Sequence, residues 1–327
     1  MRDSNRYIFR VDATFGTGAG HFKRCLTIAN ELAKDDLLIL FLGNFEIPWV
    51  VAELIEKEIK FAIASEFRSG SGDYLIIDQY FLDTDFLSEH KFLRIVQIVD
   101  VETPLIAADL FLHLGADTSF LKSKIANECN FIGGLDFLPT RKFTENIGFS
   151  VENISIRSLL IAGGGTDINN FGIAILESLL AFGTPDIEIH VMSDGLSTNP
   201  AASISNIHFH KLGGELDEVI VNVDTVITTA GTSSWDFIAN QRVVGIALAV
   251  DNQIPNFTFQ IESGFALNIG TYDGKGGWKI SVDSIKKLLF DNELRARLVR
   301  NSAAQIDLSG PKRVAAEIIK IANSPDL

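Results

Sequence analysis

Apolar and polar positions change their spacing repeatedly along this chain of 327 residues. In the first half, short apolar runs at 7–11, 37–42, 61–64, 74–77, 95–99 and 110–112 predict strands. Between them apolar residues recur three and four apart, which predicts helices over 20–34, 48–57 and 84–90. The first of these helices carries Phe22, Cys25, Leu26, Ala29, Leu32 and Ala33 on one face. Tyr74-Leu75-Ile76-Ile77 has no polar position at all. A strand of that kind is buried on both faces, as in a parallel sheet covered by helices. Around 140–150 the chain turns polar, which predicts a linker between a domain over 1–145 and one over 146–327.

The alternation then starts again. Strands are predicted at 158–162, 187–191, 207–210, 225–228, 243–247 and 266–269. Helices are predicted at 169–182, 215–222, 233–240, 256–264 and 281–289. A last helix follows Ser309-Gly310, with Pro311 suited to its first turn. It carries Val314, Ala315, Ile318, Ile319 and Ala322 on one face. The expected fold class is α/β, with two doubly wound Rossmann-like domains facing a central cleft. Open sheets of this kind bind ligands beyond the carboxyl ends of their strands.

Composition narrows the functional classes. A hydrophobic fraction of 46% and a charged fraction of 21% are those of a globular protein. The net charge of −14 argues against nucleic acid or an anionic membrane as partner. Against that background Arg10, Lys23 and Arg24 stand out as cations for an anionic substrate. Two cysteines, Cys25 and Cys129, exclude a disulfide framework. No apolar run approaches the ~20 residues of a membrane span, and the polar N-terminus does not read as a signal peptide. A cytoplasmic protein without membrane insertion is expected, as a monomer or weak homodimer.

Candidate chemistry gathers where strands end. Arg10-Val11-Asp12 closes the first strand, and three glycines with two threonines fill 13–20 before a helix that opens on His21. Such a junction aims the N–H groups near Gly18 and Gly20 and a positive helix end at an anion. A histidine there exchanges protons near neutral pH. Asp78-Gln79-Tyr80 and Asp100 follow two further strands. Asp100 reads as structural on its own. Gly163-Gly164-Gly165-Thr166-Asp167 opens the second half with a like turn, in which Asp167 reads as a helix cap rather than an acid catalyst. Thr228-Thr229-Ala230-Gly231-Thr232-Ser233-Ser234-Trp235-Asp236 supplies hydroxyl and N–H donors for a diphosphate. It also reads as a capped helix with a buried tryptophan. Asp251-Asn252-Gln253 forms a polar turn after 243–250. No metal motif is evident. His208 and His210 alternate on a strand and read as surface histidines rather than ligands. The turn at Gly18 and Gly20 lacks a later ribose-binding acid, which argues against NAD. No cofactor is expected.

Arg10, Asp12, Gly18, Gly20, His21 and Arg24 fill the pattern Arg-x-Asp … Gly-x-Gly-His-x-x-Arg. This segment resembles the nucleotide-sugar hydrolases of pseudaminic acid biosynthesis, which cleave UDP-2,4-diacetamido-2,4,6-trideoxy-altrose, and the related spore-coat polysaccharide proteins. The segments at 163–170, 228–236 and 251–253 resemble the same family. The family has histidine at Gln79 and glutamate at Asp236. The resemblance implies a GT-B-like arrangement in which the last helix packs back on the N-terminal domain. It implies catalytic roles for His21 and Tyr80. It implies substrate contacts from Arg10, Asp12, Gly18, Gly20, Arg24, Asp78, Gly164, Gly165, Gly231, Thr232, Ser233, Asn252 and Gln253, with Asp236 on the ribose hydroxyls. The function expected is hydrolysis of a UDP-linked amino-deoxy sugar by water attack at the anomeric carbon. A GT-B glycosyltransferase with a UDP-sugar donor is the first alternative. A non-catalytic nucleotide-sugar binding protein is the second.

Overall fold

A computed structural model describes residues 5–70, 72–81, 84–100, 103–116, 118, 121, 124–125, 130–143, 156–183, 186–193, 200–213 and 215–324. Cys129 and most of the linker expected at 140–150 lie outside the described residues. The chain divides into two units. The first comprises Met1–Arg141 and Ser309–Leu327, and the second Lys142–Leu308.

The first unit is built on a seven-stranded sheet. Its strands are β1 (Arg6–Val11), β2 (Leu38–Leu42), β3 (Lys60–Ala62), β4 (Tyr74–Asp78), β5 (Arg94–Ile98), β6 (Leu110–His113) and β7 (Asn130–Gly133). The spatial order is β3-β2-β1-β4-β5-β6-β7, with every pairing parallel. Helices α1 (Gly20–Ala33), α2 (Pro48–Glu56) and α3 (Thr84–Glu89) connect the early strands. The order reverses direction between β1 and β4, so the loops that follow these two strands open the crevice where such sheets bind ligands.

The apolar stripe of α1 does what its spacing predicts. Phe22, Cys25, Leu26, Ala29 and Leu32 are buried against Phe9 and Phe41 of the sheet. The terminal helix α10 (Gly310–Ala322) joins this core through Val314, Ala315, Ile318 and Ile321. Arg313 ties it down by donating to the Asp136 carbonyl at 2.9 Å. The residues from 309 onward thus belong to the first unit, although they follow the second in sequence.

The second unit repeats the plan. Its strands are β8 (Ser158–Ala162), β9 (Glu188–Met192), β10 (Ile207–His210), β11 (Thr225–Thr229), β12 (Val243–Leu248), β13 (Leu267–Tyr272) and β14 (Trp278–Ile280). They run in the order β10-β9-β8-β11-β12-β13-β14, and β14 alone is antiparallel to its neighbour. The helices are α4 (Phe171–Leu180), α5 (Glu215–Ile220), α6 (Thr232–Ala239), α7 (Ile254–Glu262), α8 (Val282–Phe290) and α9 (Asn292–Ala303). Among the described residues, no helix is long and apolar enough to cross a membrane.

Three elements escape the apolar pattern. Strands β7 (Asn130–Gly133) and β14 (Trp278–Ile280) are four and three residues long and carry Asn130 and Lys279 among few apolar positions. Helix α9 is mostly charged and polar. Its buried apolar anchors in the core are Leu294, Leu298 and Val299, with Ala296 partly buried against them, and its start is set by the Asp291 carboxylate accepting the Leu294 N–H at 2.9 Å.

Candidate functional site

In the first unit, two adjacent strand ends assemble one charged cluster. Asp78 closes β4, opposite Val11 of β1, and His21 and Arg24 project from the first turns of α1. His21 Nδ1 lies 2.6 Å from Asp78 Oδ1. Two acceptors at that distance need a proton between them, so Nδ1 carries the hydrogen and Nε2 is the ring atom left to exchange a proton. The Arg24 guanidinium grips the same carboxylate with two bonds of 2.6 Å, from Nε to Oδ2 and from NH2 to Oδ1. It also donates to Asp100 Oδ2 at 2.9 Å. The Tyr80 hydroxyl lies 3.5 Å from that oxygen, and its ring meets the His21 ring edge-on at 4.6 Å.

The electrostatics explain why the cluster holds together. Burial raises the Asp78 carboxyl, but the Arg24 and His21 charges and hydrogen bonds outweigh it and hold it well below the usual carboxylate range. Burial opposes ionisation of Asp100 too, and Arg24 then His21 overcome it. Burial likewise disfavours the Arg24 charge, yet Asp100 and Asp78 keep it protonated. Cys25 Sγ sits 3.5 Å from Asp78 Oδ2. Burial first, and Asp78 second, push its thiol well up, so it is an inert thiol rather than a nucleophile.

These distances change the places expected for several residues. Arg24 and Asp78 are 6% and 2% exposed, so neither presents its charge to a substrate. They hold His21 instead. Arg10 is buried as well and donates to Asp12 Oδ1 at 2.8 Å. Lys23 pairs with Glu53 at 2.6 Å. The three cations that looked available to an anion are therefore all tied to carboxylates, because a desolvated cation in a chain this acidic finds an internal partner. Asp12 is fixed from both sides, by the Asn44 N–H at 2.8 Å and by Gln79 Nε2 at 2.6 Å. The Gly18 N–H closes the turn on the Thr14 carbonyl at 2.8 Å. The first N–H groups of α1, at Gly20, His21 and Phe22, have no acceptor within the helix.

The second unit brings three turns to the ends of three neighbouring strands, β8, β11 and β12. Gly164 has φ +90°, a conformation glycine adopts without strain, and faces the Thr229 hydroxyl. Gly165 lies beside it. Asp167 accepts the Gly172 N–H at 2.9 Å and the Ser193 hydroxyl at 2.5 Å, which makes it a cap for α4. Gly231 has an ordinary φ of −78°, and a Cβ there meets only Gln253 Nε2, at 3.5 Å. Nothing in the fold requires glycine at this position. The Ser234 hydroxyl donates to the Gly231 carbonyl at 2.7 Å and accepts from Gln260 at 2.8 Å. Trp235 is buried, and Asp236 is 7% exposed. Thr232 and Ser233 occupy the partly exposed first turn of α6, and Asn252 is exposed on the 251–253 turn.

The residues that sequence reasoning missed are those whose roles depend on contacts distant in the chain. Asn44, Ser193 and Gln260 hold Asp12, Asp167 and Ser234 in place across gaps of 32, 26 and 26 residues. Asp100 offered a signal, an acid directly after a strand, but its bond to Arg24 spans 76 residues. His208 and His210 are joined by His190. His190 Nδ1 lies 2.9 Å from His210 Nε2, and His208 pairs with Glu188 at 2.6 Å. Among the described residues, no group of three or more His, Cys, Asp or Glu is placed to hold a metal ion.

No protein-family model matches the chain, and no curated protein matches it. Solved structures do. S. aureus MnaA, determined with UDP, is similar at TM-score 0.64 and 14% identity, covering 98% of this chain and 97% of its own. The glycosyltransferase of kitacinnamycin gives 0.63 and 13%, over 98% and 100%. Anabaena Alr3699/HepE, in complex with UDP and glucose, gives 0.60 and 11%, over 96% and 99%. At these identities the likeness is one of fold, and it runs the length of both chains: the protein has the two-sheet α/β fold called GT-B.

Proposed function

We propose that this protein is an enzyme that transfers the glycosyl group of a UDP-sugar to an oxygen nucleophile. The observation that carries the reading is the Asp78–His21 pair at 2.6 Å, locked by Arg24 at the carboxyl end of β4. His21 Nε2 takes the proton of the attacking hydroxyl as that oxygen bonds to the anomeric carbon. Asp78 holds the ring in the required tautomer and stabilises the imidazolium as it forms. The Tyr80 ring packs against the imidazole at a steep angle and limits its rotation. The turns after β8, β11 and β12 bind UDP. The open space at Gly231 and the donors of Thr232, Ser233, Asn252 and Gln253 receive the diphosphate. UDP leaves as the sugar–oxygen bond breaks, its growing charge met by N–H and hydroxyl donors.

The acceptor is an alcohol in the reading we favour. Glycosyltransferases, among them that of kitacinnamycin, share the fold over their whole length. Water is the acceptor in the second reading, favoured by the match of residues 10–24 to the nucleotide-sugar hydrolases. A thermal scan with UDP, ADP, GDP and NAD tests the donor half. UDP at a hundred times its Kd raises stability by about 2.7 kcal/mol, and a shift with NAD alone overturns the assignment. Turnover in ¹⁸O-labelled water tests the acceptor half. Label in the free sugar means hydrolysis. Consumption of donor only when an alcohol is added, without label in the sugar, means transfer. Label in UMP means attack at phosphorus and rejects both readings.

A further inference from the structure

Two carboxylates and one guanidinium do not balance. Arg24 reaches both oxygens of Asp78 at 2.6 Å and Oδ2 of Asp100 at 2.9 Å. With a neutral His21 the group therefore carries a net negative charge. The other two cations of this stretch do not cancel it, because Arg10 pairs with Asp12 and Lys23 with Glu53. The two-pronged bond assigns the guanidinium to Asp78. Asp100 has a single bond, from an NH2 group that also serves Asp78. A desolvated charge without its own partner is costly to keep.

Asp100 is nevertheless held firmly. Its N–H donates to Thr103 Oγ1 at 2.9 Å, and the Thr103 N–H returns to its carbonyl at 3.1 Å. His113, on β6, stands 3.8 Å from Asp100 Oδ1, but its Nδ1 donates to the Val99 carbonyl at 2.8 Å. The Tyr80 hydroxyl lies 3.5 Å from Oδ2. Arg24 NH2 is 3.0 Å from His21 Nδ1 and 2.9 Å from Asp100 Oδ2. The imidazole is thus within about 6 Å of the second carboxylate, where a unit charge still acts strongly. Arg24 stands nearly as close to His21 as Asp78 does, so its charge offsets much of what Asp78 offers an imidazolium. Asp100 supplies the remainder.

We infer that Asp100 is a positioning residue whose charge, acting across Arg24, balances the imidazolium formed when His21 takes the acceptor proton. This role rests on the reading of His21 as the base. It adds that the pair of His21 with Asp78 is insufficient alone, because Arg24 already neutralises Asp78.

The test reads His21 itself and needs no substrate. Its ring signals, assigned with His21→Gln, are followed by NMR through a pH titration of the full chain. Asp100→Asn keeps an oxygen for Arg24 and removes only the charge. The His21 midpoint should fall by at least about one pH unit, a ten-fold loss of proton affinity. The Asp100 side chain is 24% exposed, and solvent screening keeps the shift below that of a fully buried neighbour. Asp100→Glu restores the charge and should bring the midpoint back toward that of the parent. In the parent chain, the Asp100 carboxyl carbon should respond at the pH where His21 titrates, and not solely where His113 does. An unmoved midpoint in Asp100→Asn overturns the inference. So does an equal shift in Asp100→Glu, which would trace the effect to packing rather than charge. If Asp100→Asn does not fold, the carboxyl carbon decides, and no response at the His21 midpoint overturns the inference. An unmoved midpoint in a chain that loses turnover with His21→Ala removes the role of Asp100 and leaves the proposed function standing. A shifted midpoint in a chain whose turnover survives His21→Ala removes the function, and the role with it.

Discussion

The carboxyl edges of the two sheets are built from opposite chemistry. In the first unit the edge is ionic: two carboxylates, a guanidinium and an imidazole share bonds of 2.6–2.9 Å. In the second unit the same edge is mostly glycine, hydroxyl and amide, with Asp167 turned inward to cap a helix. The sheets have the same strand order up to the antiparallel β14, so the fold does not explain the difference. We attribute it to the proposed chemistry. Moving a proton needs one titratable group held in one orientation. Holding a diphosphate needs many donors and little bulk.

Substitutions that strip one edge while sparing the other sharpen the contrast. Arg24→Met should have the largest effect on stability. It leaves Asp78 and Asp100 without their cation and should cost about 3–5 kcal/mol, the usual penalty for breaking a buried pair. Urea unfolding reads this directly. A loss below about 1 kcal/mol, the value of an exposed pair, would show that water already reaches the carboxylates. Asp167→Ala is the counterpart in the second unit. It removes a helix cap and the Ser193 bond, and should cost about 1–2 kcal/mol. A larger loss from Asp167→Ala than from Arg24→Met would reverse the comparison.

The smallest effect is expected away from both edges, at His190. Burial first, then His210 and His208, lower its pKa to about 4 against the pull of Glu188. The folded chain therefore keeps this ring neutral while the unfolded chain protonates it near pH 6.5. Its contribution is full above about pH 6.5 and is lost as the pH falls toward 4. His190→Gln should flatten the acid side of a plot of melting temperature against pH in that window. An unchanged slope would remove His190 from the acid response.

Most of the fold was legible because it is written in short-range pattern. Tyr74–Asp78 is a buried strand because every side chain but the last is apolar, and α1 shows its stripe without reference to the rest of the chain. The destination of α10 is different. Val314, Ile318 and Ile321 mark an amphipathic helix, but nothing local says that their partners lie nearly three hundred residues earlier. In the site, His21 was legible from its place after a glycine-rich turn. Arg24 was visible as a cation, but its use was not, because the turn of α1 that carries it also carries it into the core beside Asp78. Asp12 shows the same limit. Its partners Asn44 and Gln79 come from two other loops, and only the parallel register of β1 with β2 and β4 brings them together.

The central claim is a division of labour, with proton transfer at His21 and nucleotide binding at Gly231. It is tested most directly by measuring UDP affinity and turnover on the same two variants. His21→Ala should cut turnover by roughly 10²–10⁴-fold, the usual contribution of a positioned base, with UDP affinity near the wild-type value. Gly231→Val fits the backbone at φ −78°, so the fold should tolerate it. Its bulk should weaken UDP by about ten-fold or more, equivalent to about 1.4 kcal/mol. If His21→Ala loses affinity and turnover together while Gly231→Val leaves UDP binding intact, the assignment of the two edges is contradicted.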